Sequence, residues 1–439
     1  MKLPLILTAA LLFAFSASAQ QINSADLDRL FDSLEVHQKS MASVIVTHKG
    51  QKIYERAIGY AVVDSAHGVK ATPATRYRIG SITKTFTATM IMQLVEEKKL
   101  ALNTHLDQYF PSIPNADQIT LEMILRHRSG IHNFTDDDAY WEAQTKPKTR
   151  SEMLAIFAGN KSDFTPGTET KYSNTGYILL GYIIEDVTRE SYAKNLQERI
   201  LSRVKLKNTS FGGKIDPAKG EAYSYTMASG WQKREETDPS QPAGAGAIVS
   251  TPGDVTAFYH ALFEGKLVSK ASLAEMTRTV DIFGIGLAPA PFYAKKGFGH
   301  TGGLDGFVTS VAYYPSDSLA AAVFSNGVDY PVNDIIIALL SAYYKIPVTI
   351  PDLRAMQLSP EVLALYAGVY SSKQIPLKMT VTHVNGKLYA QPTGQPNFWL
   401  APVKKDVFKI DAAGVVIEFR PAQGEFSLTQ AGQTFLFNK

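Results

Sequence analysis

The sequence predicts an α+β chain in which an antiparallel sheet is flanked by helices, interrupted by an all-helical insertion, and followed by a small all-β domain. Three observations carry this. A helix pattern and a strand pair open the chain, and helical periodicity then dominates from Leu100 to about Leu206. Strands return late and are closed by another helix. Beyond Ile346 the pattern changes to short strands with glycine-bearing turns.

Taken in order, "SADLDRLFDSLEVHQ" reads as an amphipathic helix and "ASVIVTHKGQKIYERAIGYAV" as two strands joined at Lys49 and Gly50. "YRIGSITKTFTATMIMQLVEE" runs from a short strand through a glycine into a long apolar helix. "LEMILRHRSGI", "SEMLAIFAG", "YILLGYIIEDVT" and "YAKNLQERIL" form the helical insertion. "GFVTSVAYYP" and "LAAAVFSNG" are the returning strands, and "VNDIIIALLSAYY" is the closing helix. The first and last helices are expected to pack on one sheet. In "IPVTIPDL" two prolines interrupt helix and strand pairing, which marks a linker. After it, "LKMTVTHVNGKLYAQP" carries a hairpin signal at Asn385 and Gly386, and "DVFKIDAAGVVIEFRP" and "EFSLTQAGQTFLFNK" repeat the theme. The expected domains are a signal peptide at 1–19, a main domain at 20–345, a linker at 346–358 and a β domain at 359–439.

The signal peptide rests on Lys2, the apolar run Leu3 to Phe15 and the small residues Ala17, Ser18 and Ala19, with cleavage before Gln20. The expected mature protein is exported, periplasmic or secreted, with no membrane span. A net charge of +3 without basic runs gives no footprint for nucleic acid. The chain has no cysteine, which excludes disulfides, a lipid-modified cysteine, a cysteine nucleophile and thiolate metal sites. No metal or other cofactor is implied.

SxxK spacing puts a serine and a lysine on one face of a helix, which suits a nucleophile and its base. The pattern occurs at Ser81, Ser191 and Ser202, so context must decide. Ser191 reads as a helix cap beside a solvated lysine, and Ser202 ends a helix. Only Ser81, with Lys84, follows a strand and a glycine and opens a strongly apolar helix; a capping serine and a surface lysine are the alternative. In "KYSNTGY", Tyr172 and Asn174 could point into one cavity, one handling a proton and the other donating to a carbonyl, or could be a core aromatic and a cap. In "GFGHTGG", His300, Thr301, Gly302 and Gly303 precede a strand; the glycines could let a substrate backbone approach its edge and the Gly303 N–H face an oxyanion, or could simply form a glycine-rich turn in a sheet. His127 reads as a structural hydrogen-bonder. No GxSxG and no HExxH is present.

SxxK, YxN and HTG in this order resemble the serine β-lactamase and penicillin-binding protein superfamily, on the side of class C β-lactamases, DD-carboxypeptidases, D-aminopeptidases and esterases. The likeness spans Ile22 to Tyr344 and includes "ILRHRSGI", "FTPGTETKYSNTGYILLGYIIE", "AGAGAIVSTPGDVTAF" and "FGIGL". It implies a β-lactamase-like fold, with the tail similar to an appended lipocalin-like barrel. By this resemblance Ser81 is the nucleophile, Lys84 and Tyr172 share the proton work, and the N–H groups of Ser81 and Gly303 form the oxyanion hole. Asn174, His300, Thr301 and Gly302 then face the substrate. His300 departs from the lysine of class C β-lactamases, which weighs against a dedicated β-lactamase. The implied activity is that of a serine hydrolase, a carboxypeptidase- or aminopeptidase-like peptidase or an esterase. The alternatives are a β-lactamase and a non-catalytic sensor on the same scaffold. The implied partners are small peptides, cell-wall peptides among them, esters or β-lactams.

Overall fold

At the centre lies an antiparallel path of six strands in the order Ala288–Pro289, Phe298–Leu304, Phe307–Tyr314, Leu319–Val328, Ser40–His48 and Gln51–Ile58. The structure is a computed structural model describing residues 22–64, 67–228, 230–351, 353, 358–384, 386–393, 397–410, 414–430 and 433–439. The leader expected at residues 1–19 and Asn385 of the expected hairpin turn lie outside them.

The early strand Ser40–His48 pairs directly with the late strand Leu319–Val328, Ser43 opposite Phe324, so the helical region is an insertion between neighbours in one sheet. Alternation sorts the side chains between two layers. Val44, Val46, Ala321 and Val323 face the helices Ser24–Val36 and Val332–Tyr343. Ile45, Ala320, Ala322 and Phe324 face the helical region. Lys49 and Gly50, at φ 50° and 74°, make the tight reversal between Ser40–His48 and Gln51–Ile58.

On the second layer the helix Thr83–Glu96 is buried at every position from Thr83 to Leu94. A helix surrounded on all sides must partner its polar groups, and it does: Thr85 Oγ1 donates to the Gly286 carbonyl at 2.7 Å and Thr87 Oγ1 to that of Gly244 at 2.6 Å. The run "LEMILRHRSGI" is helical only over Leu121–Leu125. His127 takes a left-handed conformation at φ 59°, and the helix does not continue through it. A small three-stranded sheet not foreseen from the sequence joins Tyr77–Arg78, Ile248–Ser250 and Ser210–Phe211.

Residues 346–351 and 353 form neither helix nor strand, and Ile346, Val348, Ile350 and Leu353 pack against the layer of the first and last helices. A helix, Pro360–Tyr366, then leads into a closed barrel of eight antiparallel strands from Gly368–Ser371 to Gln433–Asn438, sealed where Ser371 pairs with Asn438. Closure removes the exposed edges of the sheet. Among the described residues no helix is long and apolar enough to cross a membrane.

Candidate active site

Ser81 lies in a single tight turn, Gly80–Ile82, that runs straight into the helix Thr83–Glu96. Its N–H belongs to the first turn of that helical run, where no preceding helical carbonyl can accept it. Gly80 has φ 52°, and a Cβ there would meet the Gly303 nitrogen at 2.8 Å. A Cβ on Gly302 would meet the Ile79 carbonyl oxygen at 2.0 Å. These glycines let the turn bearing Ser81 lie directly on the strand Phe298–Leu304, which brings the backbone of Ser81 and Gly303 to one cleft. Thr309 Oγ1 fastens the contact by donating to the Ile79 carbonyl at 2.9 Å.

One turn along, the Lys84 Nζ is fully buried and meets three oxygens: Ser81 Oγ at 3.0 Å, Asn174 Oδ1 at 2.7 Å and the Ala245 carbonyl at 2.9 Å. No carboxylate is among them. Burial therefore holds its pKa well below the ordinary 10.5. A neutral amine has two N–H groups and one lone pair. Asn174 Oδ1 and the Ala245 carbonyl can only accept, so they take the two N–H groups, and the lone pair is left for the Ser81 hydroxyl.

Tyr172 lines the cleft beside Ser81, and its ring lies 4.8 Å from the Lys84 Nζ. Burial pushes its phenol above the ordinary 10.0, so it stays protonated at neutral pH. His127 clamps it. The His127 carbonyl accepts from Lys171 N–H at 2.9 Å, its Nδ1 accepts from Ser173 N–H at 3.1 Å, and its ring stacks on Tyr172 at 4.2 Å. Burial holds the His127 ring neutral, as Nδ1 must be in order to accept.

The cleft is about 950 Å³ and is lined by Ser81, Tyr172, His300, Thr301 and Gly303 among others. His300 Nδ1 lies 2.6 Å from the Thr301 carbonyl, and burial lowers its pKa to about 4. Gly302 and Asn174, expected to face the substrate, are not among the residues that line the cleft. Gly302 is buried against Ile79, and Asn174 spends its Oδ1 on Lys84 and donates from Nδ2 to Thr135 Oγ1 at 3.0 Å. The other two SxxK serines are far simpler. Ser191 accepts from Lys194 N–H at 3.2 Å as a helix cap while Lys194 pairs with Glu190, and Ser202 begins the short helical segment Ser202–Val204.

Residues 27–342 match the model of the Beta-lactamase family. The chain belongs to that family. Protein flp of Staphylococcus aureus (strain N315) is 32% identical over 192 residues, 42% of this chain and 38% of that protein, so the chain matches well under half the length of this curated relative. The D-amino acid amidase of Ochrobactrum anthropi SV3, in complex with L-phenylalanine amide, superposes with a TM-score of 0.65 at 26% identity, over 73% of this chain and 99% of the amidase. The octameric penicillin-binding protein homologue from Pyrococcus abyssi has the same fold over 94% of this chain and 99% of its own, with a TM-score of 0.67 at 22% identity.

Within this beta-lactamase-family site, two parts escaped sequence reasoning. The Ala245 carbonyl is a backbone atom far along the chain and leaves no residue-type signal. The other is a buried ion pair: Arg78 Nη1 reaches Asp305 Oδ2 at 3.2 Å, while Asp305 Oδ1 accepts from Thr237 N–H and Oγ1 at 3.0 and 2.6 Å. It joins the strand leading to Ser81 with the turn that follows Gly303. An arginine three residues before the serine and an aspartate two after the glycine were the available signals.

Proposed function

We propose that this chain is a serine hydrolase that cleaves amide bonds through an acyl-enzyme on Ser81. The observation that carries the reading is the buried Lys84, left with a lone pair for Ser81 by two obligatory acceptors. Ser81 Oγ attacks the substrate carbonyl carbon as Lys84 takes its proton. The N–H groups of Ser81 and Gly303 stabilise the resulting oxyanion, each worth about 2.7–4 kcal/mol in comparable sites. When the C–N bond breaks, a proton passes to the departing amine through Tyr172, whose raised pKa suits a donor and relay rather than a phenolate base. Water then cleaves the ester, releasing the acid and restoring Ser81.

For the substrate class we favour D-aminoacyl amides, a reading supported by the likeness to a D-amino acid amidase over nearly all of that enzyme's length. Esters use the same steps with an alcohol as leaving group. Cleavage of a peptide's terminal residue as a carboxypeptidase, and turnover of β-lactams, are finer readings of the same acyl transfer. The leader pattern at residues 1–19 supports export to the periplasm or medium.

The test is intact-mass spectrometry after exposure to a fluorophosphonate, a penicillin and D-phenylalanine amide, beside a Ser81→Ala variant. An adduct on the native chain that the variant lacks, with release of phenylalanine from the amide, is the expected result. A native chain that takes no adduct from any of them overturns the acyl-enzyme reading and leaves the sensing alternative.

A further inference from the structure

The cleft continues past the reacting groups. Beyond His300 and Thr301 it runs between the segment that follows Ala288–Pro289 and the face of the helix Val332–Tyr343, where Phe292, Tyr293, Ile336, Ile337 and Leu340 line it. Its wall changes character along the way. At Ser81 it carries hydroxyls and an imidazole beside Phe283, whereas past Thr301 and Ser310 it is mainly aliphatic and aromatic with Asn333 as the one amide.

Its charge is equally one-sided. No Asp, Glu, Lys or Arg side chain lines the cleft among the described residues. The histidine in it, His300, is uncharged at neutral pH. Lys295, in the loop that forms one wall, commits its ammonium to Asp317 at 3.0 Å. Lys84 stands behind Ser81, wholly buried. A carboxylate entering this groove would lose hydration and find no cation among the residues that line it, Lys296 of the same loop being exposed and outside that lining. An apolar ring or chain would lose nothing by entry and gain burial.

The direction of the groove decides which part of a substrate it meets. The departing atom must face the group that returns its proton, and Tyr172 lines the cleft beside His300, with ring centroids 6.3 Å apart. The groove opens from that side. We infer that it is a leaving-group subsite, selecting substrates whose departing amine or alcohol is uncharged and apolar and rejecting those that depart with a free carboxylate. This rests on the acyl-enzyme reading above. It sets the chain apart from enzymes that release a terminal amino acid bearing its carboxylate.

Phenyl acetate and 3-carboxyphenyl acetate test this, because they share a minimal acyl group and release phenols of similar acidity. Ser81 labelling by a fluorophosphonate is measured in parallel on the same full-length protein. The expected kcat/KM is at least tenfold higher for the neutral ester. Ile337→Lys, at a position that is 43% exposed and so tolerant of the change, should narrow that ratio at least fivefold by raising kcat/KM for the carboxylated ester. Ser81 labelling with no preference, or with no turnover of the neutral ester, overturns the subsite while the acyl-enzyme reading stands. A strong preference that Ile337→Lys leaves unchanged also overturns it. Absence of Ser81 labelling overturns both.

Discussion

The region around Ser81 and the C-terminal barrel bury different things. In the barrel, the buried side chains among the described residues are apolar, or are tyrosines with partners: Tyr366 donates to Asp406 at 2.7 Å and Tyr370 to the Tyr366 carbonyl at 2.9 Å. Around Ser81 the interior holds Lys84, Arg78, His127, Asn133 and His300, each under a tenth exposed. Polar burial costs stability unless every group is partnered. A chain that manages without it in one region and concentrates it in another has placed its chemistry in the second.

The sharpest way to break this comparison is to remove the costliest buried group. Lys84→Met keeps the volume and discards the amine. We expect acylation to fall about 10³-fold, within the range for loss of a positioned base, as read by the rate of Ser81 adduct formation. In the native chain that rate should rise with pH through a limb lying well below 10.5, because burial lowers the Lys84 pKa and only the amine can accept. A limb at the ordinary lysine position would show that Lys84 is not the base.

Gly80→Ala tests the backbone contact. Its Cβ would strike Gly303 at 2.8 Å from a left-handed residue, pushing apart the two proposed oxyanion donors. A loss of about 10²-fold in kcat, the order seen when one donor is removed, is expected with KM little changed.

His127→Phe keeps the stacked ring but removes the Nδ1 acceptor, leaving Ser173 N–H unpaired beside Tyr172. The expected cost is about tenfold in kcat, in line with a positioning error of a fraction of an ångström. His127→Gln, which restores an acceptor, should recover part of it. Full activity in His127→Phe would instead point to the ring alone.

These sites also explain what was legible in the sequence. Period-two alternation and turn glycines announce the barrel, since a closed sheet with an apolar interior must alternate. The Ser81 turn is visible because strand, glycine and apolar helix follow one another in the chain. The partners of its side chains are not. Ala245 contributes a carbonyl, Asp305 acts through a residue far away in sequence, and His127 looks like an interior histidine until the left-handed turn at that residue brings it under Tyr172. Asn174 was expected to hold the substrate amide; its amide oxygen is also the acceptor that helps leave Lys84 its lone pair, which no local pattern announces. Long-range pairings of this kind belong to the topology and carry no local pattern.

Acid sensitivity gives a smaller effect. His300 is held neutral down to about 4, whereas an unperturbed histidine takes a proton near 6.5. Between those values the unfolded chain binds more protons, so stability is full above about 6.5 and is lost as pH falls towards 4, by up to roughly 3 kcal/mol. His127 acts in the same direction. Thermal denaturation from pH 7 to 4 should show this loss, and His300→Gln should flatten it; an unchanged slope would place the acid-sensitive group elsewhere.

The smallest expected effect on activity comes from the barrel, although its cost in stability is large. Phe426 is fully buried, stacks on Phe437 at 4.8 Å and meets Tyr370 and Phe419 at 4.8 and 5.2 Å. Phe426→Ala removes a ring that nothing nearby can replace, at a cost of about 3–5 kcal/mol to the barrel. If the barrel is a packed support and the chemistry lies wholly in the polar interior around Ser81, the rate of Ser81 acylation per folded molecule should change by less than about twofold. A large fall in that rate at a temperature where circular dichroism reports the sheet intact would mean that the barrel shapes the cleft, and the contrast between the two regions would then be one of composition and not of role.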